Sequence, residues 1–179
     1  SGKTVITHRN NITQFQQTVK PLTIGLNHCP KVDFDYVFFS NQRRYEEFKD
    51  SIDPEKLIVT SNIETHVKHN KYKTIDYSKY ILKEVSNYDN VAIILMNFFR
   101  INGINRVAIA GLDGYGLSSS SDYFSEDMAV IRDNEKKKEE NTLIANSLKF
   151  LSAHISIKLI TPSIFSDFVP LRVMVVIFV

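Results

Sequence analysis

Five short runs of β-branched and aromatic residues recur along the chain with longer helical patterns between them. This alternation constrains the fold more than any other feature. The runs are Leu22–Leu26, Tyr36–Phe39, Leu57–Thr60, Arg106–Ala110 and Ile157–Ile160. They lack clean polar alternation, as expected of strands covered on both faces. Strands that alternate with helices favour a parallel sheet flanked by helices, so the expected class is α/β with a mainly parallel sheet. No internal repeat or long linker divides the 179 residues, and one domain is expected.

Between the runs lie the helix candidates. Ile12–Val19 is a short one, and Gln42–Lys49 starts at Asn41 as its cap. Asn90–Asn102 carries Val91, Ile94, Leu95, Phe98 and Phe99 at three- and four-residue spacings, and Gly103 stops it. Asn134–Leu151 is the longest, charged at first and apolar later at Leu143, Ile144, Leu148 and Leu151. Its Lys136–Glu140 run reads as a solvated face.

Several function classes are disfavoured. A formal net charge of +2 does not suggest a nucleic-acid binder. The sole cysteine, Cys29, excludes an intrachain disulfide and a Cys-rich zinc site. No signal peptide and no apolar stretch of about 20 residues is visible, so no membrane span and a cytoplasmic location are expected. The opening Ser1-Gly2, without methionine, reads as a fragment or a processed form. No cofactor or metal is expected. His66 and His69 could share a helix face but lack the carboxylate of a metalloprotease pattern. His28, beside Asn27, is the one histidine suited to acid–base work, and Cys29 has no visible activator.

The run ends share one pattern: Asn27, Ser40-Asn41, Ser61-Asn62 and Thr161-Ser163 follow four of them. In open parallel sheets ligands bind beyond the carboxyl ends of the strands. These residues are therefore either caps for the next helix or the wall of a polar cleft. The segment Gly111–Tyr123 is the richest candidate. Gly111 and Gly114 allow sharp turns, Asp113 can accept from sugar hydroxyls or orient a base, and Tyr115 and Tyr123 can stack or bond a phosphate. The alternative is a Gly/Ser loop in which Asp113 bonds its own turn. Gly2-Lys3-Thr4 lacks the upstream glycine and strand of a phosphate loop, which argues against a Walker-type NTPase. Arg43 and Arg44 either meet a phosphate or face water.

The runs Asp35–Tyr45 and Asn87–Tyr115, with the ending Val-Ala-Ile-Ala-Gly-Leu-Asp-Gly-Tyr, resemble the C-terminal domain of bacterial aldolases of the HMG-CoA-lyase-like group. Thr161-Pro162-Ser163 fits that domain too, and the resemblance covers roughly 2–165. More distantly, the strand-Gly-x-Asp-x-Tyr order resembles bacterial sialyltransferases and their motility-accessory relatives. The resemblance implies a three-layer, Rossmann-like domain over 1–168, with a CMP-sugar lying across the strand ends. It would map onto Asn27, Ser61, Ser86, Asn90, Asp113 and Tyr115, with Lys3 and Thr4 near a phosphate. No histidine matches the sialyltransferase base, and the aldolase barrel with its metal ligands is outside this chain.

These readings lead to three functions. The first is a nucleotide- or nucleotide-sugar-binding domain accessory to an aldolase-type or surface-polysaccharide enzyme. The second is a CMP-sugar-dependent glycosyltransferase, whose base would be Asp113, His28 or Asp122. The third is a non-catalytic oligomerisation domain. The expected partner is a nucleotide or nucleotide-sugar, with a homo-oligomer or docking to an aldolase barrel left open. The segment 169–179 is far more apolar than the rest. It is either a strand that fills the slot the family places before Gly2 or a non-native tail.

Overall fold

The computed structural model describes residues 2–28, 33–66, 71–85, 88–116 and 132–169. They fall into two compact units, Ser1–Thr18 with Phe99–Val179 and Val19–Phe98. The fold is α/β, and every strand pairing among the described residues is parallel.

The unit Val19–Phe98 is built on a four-stranded sheet, β1 (Ile24–Leu26), β2 (Tyr36–Phe39), β3 (Leu57–Thr60) and β4 (Lys73–Ile75), in that spatial order. Ile24 lies opposite Tyr36, Val37 opposite Leu57, and Ile58 opposite Lys73. Successive parallel strands put all their carboxyl ends on one edge. β2 and β3 are mostly buried, as their unbroken apolar runs predict. The core gathers Val37, Phe39, Tyr45, Ile52, Leu57, Val59 and Ile63, with Phe48 and Tyr72 packed against it.

Helix α3 (Gln42–Phe48) links β2 towards β3. Its predicted cap is present: the Asn41 side chain accepts from the Arg44 amide at 3.1 Å. A one-turn helix, α4 (Tyr77–Tyr80), is capped by Asp76. Helix α5 (Val91–Ile101) is buried almost all round from Ala92 to Asn97. Its end has the geometry that a glycine stop requires. The Ile104 amide bonds the Phe99 carbonyl at 2.9 Å, the Gly103 amide bonds that of Arg100, and Gly103 has φ +78°. This is a Schellman motif, in which a side chain at Gly103 would be strained.

The other unit holds α1 (Thr4–Thr7), α2 (Arg9–Val19), β5 (Arg106–Ile109), α6 (Asn134–Ser152) and β6 (Ser156–Leu159). β5 and β6 pair in register from Arg106–Ser156 to Ile109–Leu159. Ile144, Leu148, Leu151, Ile155, Ile157 and Phe165 are buried here. Two expectations fail. β5 is not covered on both faces: Arg106 and Ala108 are exposed, and among the described residues only β6 hydrogen-bonds to it. The run Lys136–Glu140 is not wholly solvated either, because Lys137 and Glu140 are buried. Glu140 lies four residues and Lys137 seven residues before Ile144, on the stripe that faces the core.

The readings of Cys29, His69, Ser86, Asp122, Tyr123 and the 170–179 part of the apolar tail fall outside the described residues.

Candidate functional site

The site builds outward from the carboxyl ends of β5 and β6, where three segments distant in sequence meet. The ladder continues one step past the strands, with the Ile160 amide on the Ile109 carbonyl at 2.8 Å. Gly111 then donates its amide to the buried Thr161 hydroxyl at 2.9 Å and accepts the Gly2 amide at 2.7 Å. Ser163 donates its hydroxyl to the Leu112 carbonyl, and the Ile164 amide bonds the Asp113 carbonyl at 3.1 Å. The Gly111 amide and the carbonyls of Gly111, Leu112 and Asp113 are thereby assigned, as buried backbone groups require.

Asp113 reaches outward to the N-terminal segment. One carboxylate oxygen accepts the Thr4 amide at 2.8 Å, and the other accepts the Thr4 hydroxyl. Thr4 is the first residue of α1, whose own cap position, Lys3, makes no side-chain capping bond. Asp113 does the work of a cap from 109 residues away, with its charge on the favourable end of the helix. Gly2 is buried beside it, and a Cβ there would stand 2.1 Å from the Asp113 carboxyl carbon. Only glycine permits this approach. The Lys3 side chain is exposed next to it.

The far side of the loop rests on α6. Tyr115 donates its amide to the Asn141 side-chain oxygen and accepts from the Asn141 amide group, both at 2.9 Å. Lys137 Nζ donates to the Gly116 carbonyl at 3.0 Å. Arg132 lies 4.6 Å from the centre of the Tyr115 ring and pairs with Glu140 at 2.6 Å. One face of Tyr115 is thus already occupied by a guanidinium.

The predicted residues divide between the two units. Gly2, Lys3, Thr4, Gly111, Asp113, Gly114, Tyr115, Thr161 and Ser163 form the cluster just described, with Gly114 at φ +88° against Ile164. Asn27, Ser40, Asn41, Ser61, Asn90 and His28 belong to Val19–Phe98. There the side-chain oxygens of Asn41, Ser61 and Asn90 accept amides at helix starts. Asn27, at φ +48°, accepts the Ser40 amide at 3.0 Å, and Ser61 accepts the Tyr77 amide at 3.0 Å. Asn90 accepts the amides of Ala92 and Ile93 at the start of α5. Arg44 is buried and pairs with Glu47 at 2.6 Å, while Arg43 is exposed and pairs with the same carboxylate.

His28 is half-buried, its ring edge-on to Phe48 with centroids 4.7 Å apart. Burial holds its pKa below the ordinary 6.5, and the Arg44 guanidinium adds to the effect. His66 pairs with Glu46 at 3.2 Å on the surface. Among the described residues no three His, Cys, Asp or Glu side chains are grouped to hold a metal ion. No helix among them is long and apolar enough to cross a membrane.

Sequence reading missed Arg132, Lys137, Glu140 and Asn141. A signal existed: extending the apolar stripe of α6 backwards from Ile144, Ala145 and Leu148 lands on Lys137, Glu140 and Asn141. No family model, curated protein or solved structure matches the chain.

Proposed function

We propose that the chain is a nucleotide- or nucleotide-sugar-binding domain whose site is the loop cluster after β5 and β6. It would serve as an accessory to an aldolase-type or surface-polysaccharide enzyme. The observation that carries this reading is the joining of Gly2–Thr4, Gly111–Tyr115 and Thr161–Ser163 at the carboxyl ends of parallel strands. That edge is where ligands of open α/β sheets bind. Exposed Lys3 offers a cation for a phosphate, and the Tyr115 ring with the Arg132 guanidinium 4.6 Å from its centre offers aromatic and cationic contacts for a base.

Asp113 bears on the choice between binding and catalysis. Both of its carboxylate oxygens are engaged by Thr4, so it is not poised to take a proton from an acceptor hydroxyl. This favours a binding domain over a self-sufficient CMP-sugar-dependent glycosyltransferase.

The test is a thermal-shift series with CMP, CDP, UDP and their sugar conjugates. A ligand at a hundredfold its Kd stabilises by about 2.7 kcal/mol, a rise of roughly 5–10 °C for a chain of this size. Lys3→Ala should shrink the rise and leave the unliganded Tm unchanged, because Lys3 is exposed. No rise with any of them at millimolar concentration would overturn the reading.

A further inference from the structure

We infer that Asn141 is the positioning residue of the Gly111–Tyr115 loop, holding it in the form that receives the ligand. The inference rests on the nucleotide-binding reading and adds a part of the chain, α6, that the strand-end pattern does not include. Asn141 meets both polar groups of a single loop residue, the amide and the carbonyl of Tyr115, each at 2.9 Å. The pairing copies what a neighbouring strand would do, at a point where β5 has already ended. A carboxamide is the side-chain group that can supply one acceptor and one donor in this way.

The surroundings fix Asn141 in turn. It stands on a 19-residue helix whose buried stripe includes Ile144, Ala145 and Leu148. Its neighbours Lys137 and Glu140 are buried on the same side of α6 and engage Gly116 and Arg132. At its other end the loop is held by Thr161, Ser163 and Gly2. Asn141 therefore anchors the downstream end of a turn whose upstream end is pinned elsewhere. A site that depends on close placement needs such support from a rigid element.

The experiment measures amide hydrogen exchange by NMR in the wild-type chain, Asn141→Ala and Asn141→Asp, followed by CMP titration of each. Alanine is the best helix former, so α6 should persist, and unchanged protection of Leu148 and Leu151 verifies it. The expected result is at least tenfold faster exchange of the Tyr115 amide in Asn141→Ala. Asn141→Asp keeps the acceptor and loses the donor at neutral pH, so it should protect that amide better than alanine does. CMP affinity should fall at least tenfold in Asn141→Ala. Exchange at Tyr115 within twofold of wild type, with α6 intact, would overturn the inference. So would a freed Tyr115 amide combined with unchanged CMP affinity. If the wild-type chain binds no CMP, the nucleotide reading fails for that probe, and the exchange rates alone then decide the role of Asn141.

Discussion

Asp113 and Thr4 form the contact on which the candidate site turns, and its energetics can be bounded. Two hydrogen bonds to a carboxylate, one of them from a helix-starting amide, are each worth at most about 1.5–3 kcal/mol net when well buried. Partial exposure of both residues lowers the net, so Asp113→Ala should cost about 1–3 kcal/mol in urea unfolding. Thr4→Val removes only the hydroxyl and should cost about 1 kcal/mol or less. Equal costs for the two variants would mean that the amide bond contributes nothing. The double variant should cost less than the sum, since both changes act on one contact. Asp113 was legible in the sequence as a special residue because it stands among glycines just past a strand. Its partner was not, for a contact between residues 109 apart leaves no local pattern.

At the scale of elements, legibility followed the strength of local rules. The Asn41 cap and the glycine stop were readable because each satisfies orphan backbone groups within four residues of itself. Asn90→Ala tests the same rule at a cap that sequence reading took for the first helical residue and a ligand contact. Its side chain takes two amides at the start of α5, and the loss should cost about 1 kcal/mol, read as a lower urea midpoint with unchanged slope. A change below about 0.3 kcal/mol would mean that backbone and solvent supply those amides equally well. β4 escaped sequence reading for the opposite reason. Lys73-Thr74-Ile75 has no apolar run, and pairing with β3 alone makes it a strand. Lys137 and Glu140 misled because a charged run ordinarily faces water. Here the helix face overrides composition, and long side chains can bury their stems while their heads find partners.

For the whole molecule, the measurable consequence is how stability depends on pH. The folded chain holds the His28 pKa below 6.5, so between that lowered value and 6.5 the unfolded chain binds more protons. The His28 contribution is fully present above pH 6.5 and is lost as pH falls through the folded value. Asp89 has the opposite sign. Burial raises its pKa above 3.8, outweighing the Tyr77 hydroxyl that bonds it, so its contribution is present below pH 3.8 and lost as pH rises through the folded value. The depressed carboxyls Asp35, Glu46, Glu47 and Asp76 give way only below about pH 4.5, where their unfolded forms begin to protonate. The interval from pH 5 to 6.5 therefore isolates His28 from those carboxyls. One proton bounds the slope at about 1.4 kcal/mol per pH unit, and half-exposure to solvent keeps it well below that. Urea unfolding at pH 7.5, 6.5, 5.5 and 5.0 should show stability falling with pH across this interval, and His28→Gln should flatten the fall. A slope that persists in His28→Gln would assign the protons elsewhere. Because His28, Asp89 and their neighbours all lie in Val19–Phe98, amide exchange on β2 and β3 should report the loss.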